Sequence, residues 1–161
     1  MDNAFNWVKT NGGLCHENSY TYTSGEQGST GTCSSTCTND ILVTPNSYTD
    51  VEKYSDNALM SALTQQPVSI AIQADQSSFQ LYHSGVLTAK CGANVNHGVL
   101  AVGYGVWADG TKYYKVKNSW GSDWGMEGFI LVERENTDNV NWRRQNHGQC
   151  GILSAPSYPN L

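Results

Sequence analysis

The sequence predicts an α+β fold in which a short helical part precedes a larger β-rich part. Residues 1–11 place apolar side chains at helical spacing, and Gly12-Gly13 supplies a helix end. Later apolar runs are short and bounded by Gly, Pro, Asn or Asp, which is typical of strands. Charged residues make up only 14% of the 161 residues, while Gly, Ser, Thr, Asn and Tyr are plentiful. This composition favours a loop-rich extracellular domain.

The helices and the long loop can be placed from local patterns. In the first helix the apolar stripe is formed by Ala4, Phe5, Trp7 and Val8. Residues 14–44 are polar and predict an irregular loop held by disulfides. A short helix is predicted over 57–65, with Asn57 as its N-cap and Pro67 as its stop.

Six strands are predicted. They are 41–48 with a break at Pro45-Asn46, 68–72, 97–105, 113–117, 129–132 and 151–153. The run from Val68 to Ile72 is apolar enough to be buried on both faces. Asp109-Gly110 predicts a hairpin turn between the third and fourth of these strands. Residues 133–149 are expected to form a polar insertion.

Charge and hydropathy exclude some classes of partner. The net charge of −5 argues against binding to nucleic acid or to an anionic membrane. No window approaches 18 consecutive apolar residues, so we expect no membrane span. Met1-Asp2-Asn3 is not followed by the basic and apolar stretches of a secretory signal.

The cysteines indicate an oxidising compartment. The chain has five of them, which in this polar, loop-rich setting suggests disulfides. Because the number is odd, either one thiol is free or its partner lies outside this chain. No cluster of His, Cys and carboxylates has zinc-like spacing, so we expect no metal site and no cofactor.

His97 and Asn118 form the candidate chemical centre. His97 stands at the mouth of a small and apolar run that predicts a buried strand, and Asn118 begins a cluster with two Trp and two Gly. A neutral imidazole can take a proton from a nucleophile, and an amide carbonyl can then hold the imidazolium ring in place. Indole rings nearby would keep water from that hydrogen bond. His97 is therefore the candidate general base, and Asn118 is the residue that orients it.

Two motifs extend this centre into a family resemblance. They are His97-Gly-Val-Leu-Ala-Val-Gly-Tyr-Gly and Asn118-Ser-Trp-Gly-x-x-Trp-Gly-x-x-Gly. With them the chain resembles the papain family of cysteine peptidases, and cathepsin L-like members in particular, over nearly its whole length. The resemblance implies a papain-like fold, with residues 1–47 as a remnant of the left, helical domain. Residues 48–161 would form the right, β-barrel-like domain that holds the His and the Asn.

The family's nucleophile motif, Gln-x5-Cys-x-x-Cys-Trp, does not occur in this sequence. It would lie upstream of Met1. Cys15, Cys33 and Cys37 are poor substitutes, because none begins a helix whose dipole would stabilise a thiolate, and Cys91 is better explained as a disulfide. We therefore expect this chain alone to be inactive.

The resemblance also implies roles for individual residues. His97 would act as base and acid, Asn118 would orient it, and Trp120 would shield their hydrogen bond. The residues expected to line the pocket for a substrate side chain are Met1, Ala71, Val95, Gly98 and Ala155. These are small or apolar and favour Leu, Phe or Val over Arg. Cys91 would pair with Cys150, whereas the pairing among Cys15, Cys33 and Cys37 stays open.

Three functions are compatible with these observations. The first is a fragment of a papain-type cysteine endopeptidase, with peptides or proteins as substrates and the missing N-terminal half of the domain as a further partner. The second is a non-catalytic binding or regulatory pseudo-peptidase. The third, suggested by nine Tyr and five Trp, is a secreted carbohydrate-binding module. The expected location is lysosomal, vacuolar or extracellular, with no nucleic acid or membrane as partner.

Overall fold

The structure, a computed structural model, describes residues 1–32, 41–135 and 146–161. It divides into two compact units. The larger unit consists of Met1 and Asp50–Tyr158, and the smaller of Asp2–Thr49 and Pro159–Leu161. Cys33, Cys37 and most of the predicted polar insertion lie outside the described residues.

Helices and strands are both present, so the predicted α+β class is confirmed. The α-helices are α1 Asp2–Thr10, α2 Ser24–Gln27, α3 Asp56–Leu63 and α4 Ser77–Gln80. The strands are β1 Leu14–Cys15, β2 Ile41–Val43, β3 Ser47–Asp50, β4 Val68–Ile72, β5 Val86–Leu87, β6 His97–Val106, β7 Lys112–Lys117, β8 Phe129–Glu133 and β9 Ser157–Asn160. A 3₁₀ turn covers Gln149–Gly151.

In the smaller unit, α1 stands beside a two-stranded antiparallel sheet formed by β1 and β2. Phe5 is half-buried and its ring lies 6.1 Å from that of Tyr48. Trp7, expected in the apolar stripe, is 55% exposed. The reason is geometric: Phe5 and Val8 are three residues apart and share one helix face, whereas Trp7 points to the opposite side. Ala4 is exposed as well.

The larger unit is built on a sheet with the strand order β9-β4-β6-β7-β8-β5. The pairs β4–β6, β6–β7 and β7–β8 are antiparallel, and β5 runs parallel to β8. The predicted hairpin turn at Asp109-Gly110 joins β6 to β7, where the Asp109 carboxylate accepts the Thr111 N–H at 2.8 Å. This hairpin pairs the two strands that position His97 and Asn118.

A β-bulge interrupts the pairing of β6 with β7. Ala101 lies opposite Val116, but Gly103 lies opposite Lys115, so Val102 is an extra residue in β6. A bulge of this kind bends the strand and increases its twist. It also reverses which residues face the core, because alternation along the strand restarts after the extra residue.

Strand β4 has one buried face, not the two that its apolar composition suggested. Val68, Ile70 and Ile72 are fully buried, whereas Ser69 and Ala71 are half-buried on the other side. Opposite them in β6 lie Leu100 and Gly98. The small residues Ser69, Ala71 and Gly98 leave this outer face uncovered enough to form one wall of a pocket.

Helix α3 is held by polar contacts at its start. Its N-cap is Ser55, whose hydroxyl accepts the Ala58 N–H at 3.2 Å, and not Asn57 as predicted. The fully buried Tyr114 of β7 donates its hydroxyl to the Asp56 carboxylate at 2.7 Å. Burial, with the hydrogen bond and negative charge of Asp56, raises the pKa of Tyr114 far above its ordinary value. Tyr114 therefore stays a neutral donor that ties α3 to the sheet.

The strand predicted at 151–153 is wrong, because the chain turns there. Gly148, Cys150 and Gly151 all have positive φ angles, of 69°, 56° and 79°, and these values are incompatible with an extended strand. The last strand, β9, follows this turn and was not predicted. Ser157 of β9 pairs with Ser69 of β4.

The disulfide expected between Cys91 and Cys150 is present and buried, with exposures of 1% and 0%. It joins positions 59 residues apart. A crosslink that closes a loop of this length reduces the entropy of the unfolded chain and is expected to stabilise the fold by roughly 4 kcal/mol.

Replacing both Cys91 and Cys150 by Ala should therefore lower the free energy of unfolding by roughly 4 kcal/mol. The measurement is urea unfolding followed by tryptophan fluorescence. Ser84→Ala, an exposed change elsewhere in the larger unit, is the control. An unchanged midpoint in the double variant would contradict this role of the disulfide.

Candidate active site

Adjacent strands bring His97 and Asn118 together. His97 is the first residue of β6 and Asn118 follows the last residue of β7. The pair nearest the site is Leu100 opposite Lys117. Continuing this antiparallel register brings His97 level with Trp120 and diagonal to Asn118. The three residues expected from the sequence therefore meet at one end of the hairpin.

The hydrogen bonds of Asn118 determine which nitrogen of the neutral His97 ring carries the proton. Asn118 is buried, and its side-chain Oδ1 accepts the N–H of Ser119 at 2.8 Å, which fixes the orientation of the carboxamide. His97 Nε2 lies 2.9 Å from the same oxygen. Because that oxygen can only accept, Nε2 is the protonated nitrogen of the neutral ring. Nδ1 is left with a lone pair that can accept a proton.

Trp120 covers the His97 ring. The two rings are stacked, with centroids 5.3 Å apart and planes 28° from parallel. Trp120 also packs in T-shaped arrangements against Phe79 and Trp124, with ring centroids 5.5 Å and 5.2 Å apart. Phe79 is fully buried, so the indole that contacts His97 is backed by the hydrophobic core. Phe79 was not predicted as part of this site, since it lies in another segment and belongs to no motif.

The loop after Asn118 is held in a tight path. The Asn118 N–H donates to Gly128 O at 2.9 Å, and the Gly128 N–H donates to Trp124 O at 2.8 Å. Gly125 has φ of 61°, and a Cβ there would lie 2.6 Å from Phe129 O. Only glycine fits this position. Trp124 donates its indole N–H to Gln80 O at 3.0 Å.

An open pocket of about 350 Å³ adjoins Asn118. Its lining residues are Met1, Ser69, Gly98, Val99, Leu100, Lys117, Asn118 and Ser119. Of the five residues expected to line a substrate pocket, Met1 and Gly98 lie here, and Ala71 is paired with Gly98 across the strands. Val95, which is 40% exposed, and Ala155, which is half-buried, are not among the lining residues.

One atom of this site has no partner. Within the described part of the chain, Asn118 Nδ2 is buried and donates no hydrogen bond. A buried amide donor left without an acceptor costs about 1–3 kcal/mol. The atom belongs to a residue that lines the open pocket.

No free thiol stands near His97 among residues 1–32, 41–135 and 146–161. Cys91 and Cys150 are bonded to each other, and Cys15 is also disulfide-bonded. The same residues contain no group of three His, Cys, Asp or Glu side chains suited to a metal ion. None of the helices in these ranges is long and apolar enough to cross a membrane.

Comparison with known proteins places this site in a family. The model of the papain family cysteine proteases matches residues 1–160. The chain is 45% identical to a KDEL-tailed cysteine endopeptidase of Arabidopsis thaliana and 42% identical to vignain of Vigna mungo, over 99% of its length in both cases. The chain belongs to the papain family of cysteine proteases, as the two motifs had indicated.

The match covers part of each relative. The chain spans 41% of the length of the Arabidopsis endopeptidase and of vignain. Among solved structures, bromelain from Ananas comosus in complex with the inhibitor E64 superposes with a TM-score of 0.87 at 34% identity. That superposition covers 99% of this chain and 68% of bromelain. The papain-like fold expected from the sequence is therefore confirmed.

The protonation of the His97 ring can be measured directly. Nitrogen-15 NMR of the imidazole, recorded where the ring is neutral, should show the proton on Nε2. Asn118→Ala removes the acceptor of the Nε2 proton and should raise the share of the Nδ1-protonated tautomer. Asn57→Ala, at an exposed amide in α3, is the matched control. A wild-type spectrum in Asn118→Ala would show that another group fixes the ring.

Proposed function

We propose that this chain provides the histidine and asparagine half of the active site of a papain-type cysteine endopeptidase. The observation that supports this most strongly is the His97–Asn118 hydrogen bond of 2.9 Å beneath the stacked Trp120 ring. It leaves Nδ1 as the nitrogen available for proton transfer. A base held in one tautomer, with its other nitrogen bonded to an uncharged acceptor, suits repeated protonation and deprotonation.

In the proposed reaction, His97 Nδ1 takes the proton of a cysteine thiol supplied by an upstream segment. The thiolate attacks the carbonyl carbon of a substrate peptide bond, and the carbonyl electrons move to oxygen. As the tetrahedral intermediate collapses, His97 returns its proton to the leaving amine. Asn118 Oδ1 stabilises the imidazolium between these steps. Water then attacks the thioester, with His97 as base, and releases the carboxylate product and the thiol.

The upstream segment is also the proposed partner of this chain. Asn118 Nδ2 lacks an acceptor, and the adjoining pocket is open on the face that bears Ser69 and Gly98. We propose that the family's Gln-x5-Cys-x-x-Cys-Trp segment belongs to the part of the domain that covers this face. Under this proposal residues 1–47 belong to the helical domain and residues 48–161 to the β-rich domain.

The substrate side chain next to the cleaved residue is proposed to contact Met1, Ala71, Val95, Gly98 and Ala155. Three of these five residues have structural support. Met1 and Gly98 line one pocket, and Ala71 is paired with Gly98 across the strands. All five are small or apolar, so the subsite favours an apolar side chain. The proposed location, lysosomal, vacuolar or extracellular, is supported by the buried disulfide, which is typical of oxidising compartments.

The catalytic proposal is tested by restoring the nucleophile. The chain alone should not hydrolyse a fluorogenic Phe-Arg amide under reducing conditions at mildly acid pH. A fusion that places the corresponding upstream segment of the Arabidopsis endopeptidase before Met1 should hydrolyse it. His97→Ala in the fusion should reduce kcat by at least about 10³-fold, because the proton acceptor is lost. His83→Ala, at an exposed histidine, is the control and should leave kcat unchanged.

Turnover by the chain alone, abolished by an epoxide inhibitor, would mean that one of its own cysteines acts. A well-folded fusion without turnover would favour the second function, a non-catalytic binding protein. That alternative has one observation behind it: every cysteine among residues 1–32, 41–135 and 146–161 is disulfide-bonded.

The same fusion tests the substrate pocket. Substrates with Leu or Phe at the second position before the cleaved bond should be preferred over Arg by about tenfold or more in kcat/KM. Ala155→Glu should raise the value for Arg, because a carboxylate would then face the guanidinium. Ser84→Glu, the same charge change at an exposed site, is the control. Equal kcat/KM for Arg and Leu in the unmodified fusion would refute the assignment.

A further inference from the structure

The segment that leads into His97 is held by backbone and side-chain hydrogen bonds outside regular structure. Residues 91–96 form neither helix nor strand. The Asn96 N–H donates to Ile72 O at 2.9 Å, and Asn96 Oδ1 accepts the Ala74 N–H at 2.9 Å. Both contacts reach the end of β4 and the residues just after it. The position of His97 therefore depends on what holds this segment against β4.

Gln73 is the central residue of that attachment. It follows the last residue of β4 and is only 7% exposed. Its side-chain Oε1 accepts the Asn94 N–H at 2.8 Å, and its own backbone N–H donates to Cys150 O at 2.7 Å. A Cβ at Gly92, where φ is +80°, would lie 2.3 Å from Gln73 Oε1. The segment thus passes against the Gln73 carboxamide at two points.

Asp75 determines which end of the Gln73 carboxamide faces the segment. Gln73 Nε2 donates to Asp75 Oδ1 at 2.9 Å, and Gln76 Nε2 donates to the same oxygen at 2.9 Å. These hydrogen bonds, that of Gln73 first, lower the pKa of Asp75, so the carboxylate stays ionised and can only accept. Because the amide nitrogen faces Asp75, the oxygen must face Asn94.

We propose that Gln73 is a positioning residue for His97. Its buried carboxamide holds the 91–96 segment to the end of β4 and so places the imidazole where it meets both Asn118 and Trp120. The consequence for turnover depends on the proposed function, but the effect on the ring does not. A hydrogen bond of 2.9 Å and a ring stack at 5.3 Å both require the His97 backbone to enter β6 at one position.

The proposal predicts different results from two substitutions of similar volume. Gln73→Met removes both hydrogen bonds and should broaden the nitrogen-15 signals of the His97 ring, with loss of the single Nε2-protonated form. Gln73→Glu combined with Asp75→Asn keeps an acceptor for the Asn94 N–H and places a donor amide, not a carboxylate, opposite it, so this double variant should retain that form. Gln76→Met removes an equal bond to the same Asp75 oxygen without touching the segment, so it serves as the matched control and should match the wild type.

A second arm does not alter the buried position. Asp75 is exposed, so Asp75→Ala should leave the fold intact while freeing the Gln73 carboxamide to turn over. The His97 ring signals should then broaden, although less than in Gln73→Met. Near-ultraviolet circular dichroism monitors folding in every variant. If Gln73→Met fails to fold, the Gln73→Glu/Asp75→Asn double variant and Asp75→Ala still give the comparison.

Turnover supplies an independent readout in the fusion protein. Gln73→Met should lower kcat by roughly 10- to 100-fold, because the base is displaced. KM should rise as well, because Val95 of the proposed subsite lies in the same segment. Wild-type ring spectra in folded Gln73→Met and Asp75→Ala would overturn the proposal whatever the activity. If the fusion with Gln73 is inactive but Gln73→Met still alters the His97 ring spectra, the positioning role is supported. That result would count only against the proposed function.

Discussion

The hydrogen bond between the His97 ring and Asn118 depends on the register of β6 with β7. With Leu100 opposite Lys117, the ends of the two strands lie side by side and His97 reaches both the amide and the indole that follow β7. A shift of one residue would turn His97 to the other face of the sheet. The sheet thus positions the site through backbone pairing, and the side chains complete the geometry.

The side-chain carboxamides of Asn118 and Gln73 are each held in one orientation. A carboxamide has a donor end and an acceptor end, so it is useful in a site only when its orientation is fixed. Asn118 is oriented by the Ser119 N–H, and Gln73 by the Asp75 carboxylate. In both cases the side-chain oxygen faces the partner nitrogen, which is His97 Nε2 for Asn118 and the Asn94 backbone N–H for Gln73. Trp120 stacks on the His97 ring and is itself packed against the buried Phe79.

The parts that could be predicted from the sequence are those that local motifs encode. The two motifs around His97 and Asn118 indicated the family and the meeting of these residues, and the Asp109-Gly110 turn indicated the hairpin. The N-cap of α3 is Ser55, but Asn57 has a similar capping propensity, so the sequence pattern does not distinguish the two. The turn at Gly148–Gly151 depends on φ angles that an apolar run does not reveal. Gln73 and Phe79 belong to no motif, because their importance comes from contacts made only after folding.

The bulge at Val102 separates two parts of one long strand. Strand β6 has ten residues, so its hairpin end lies about 30 Å from His97. The bend introduced between them gives the two ends different directions, and the hairpin end is solvent-facing, with Val106 60% exposed. Extra residues accommodated at Ala108-Asp109 would lengthen only that tip. The turn is consequently a natural attachment point for a fluorophore or an affinity tag, since a label there is remote from both the imidazole and its supporting carboxamides.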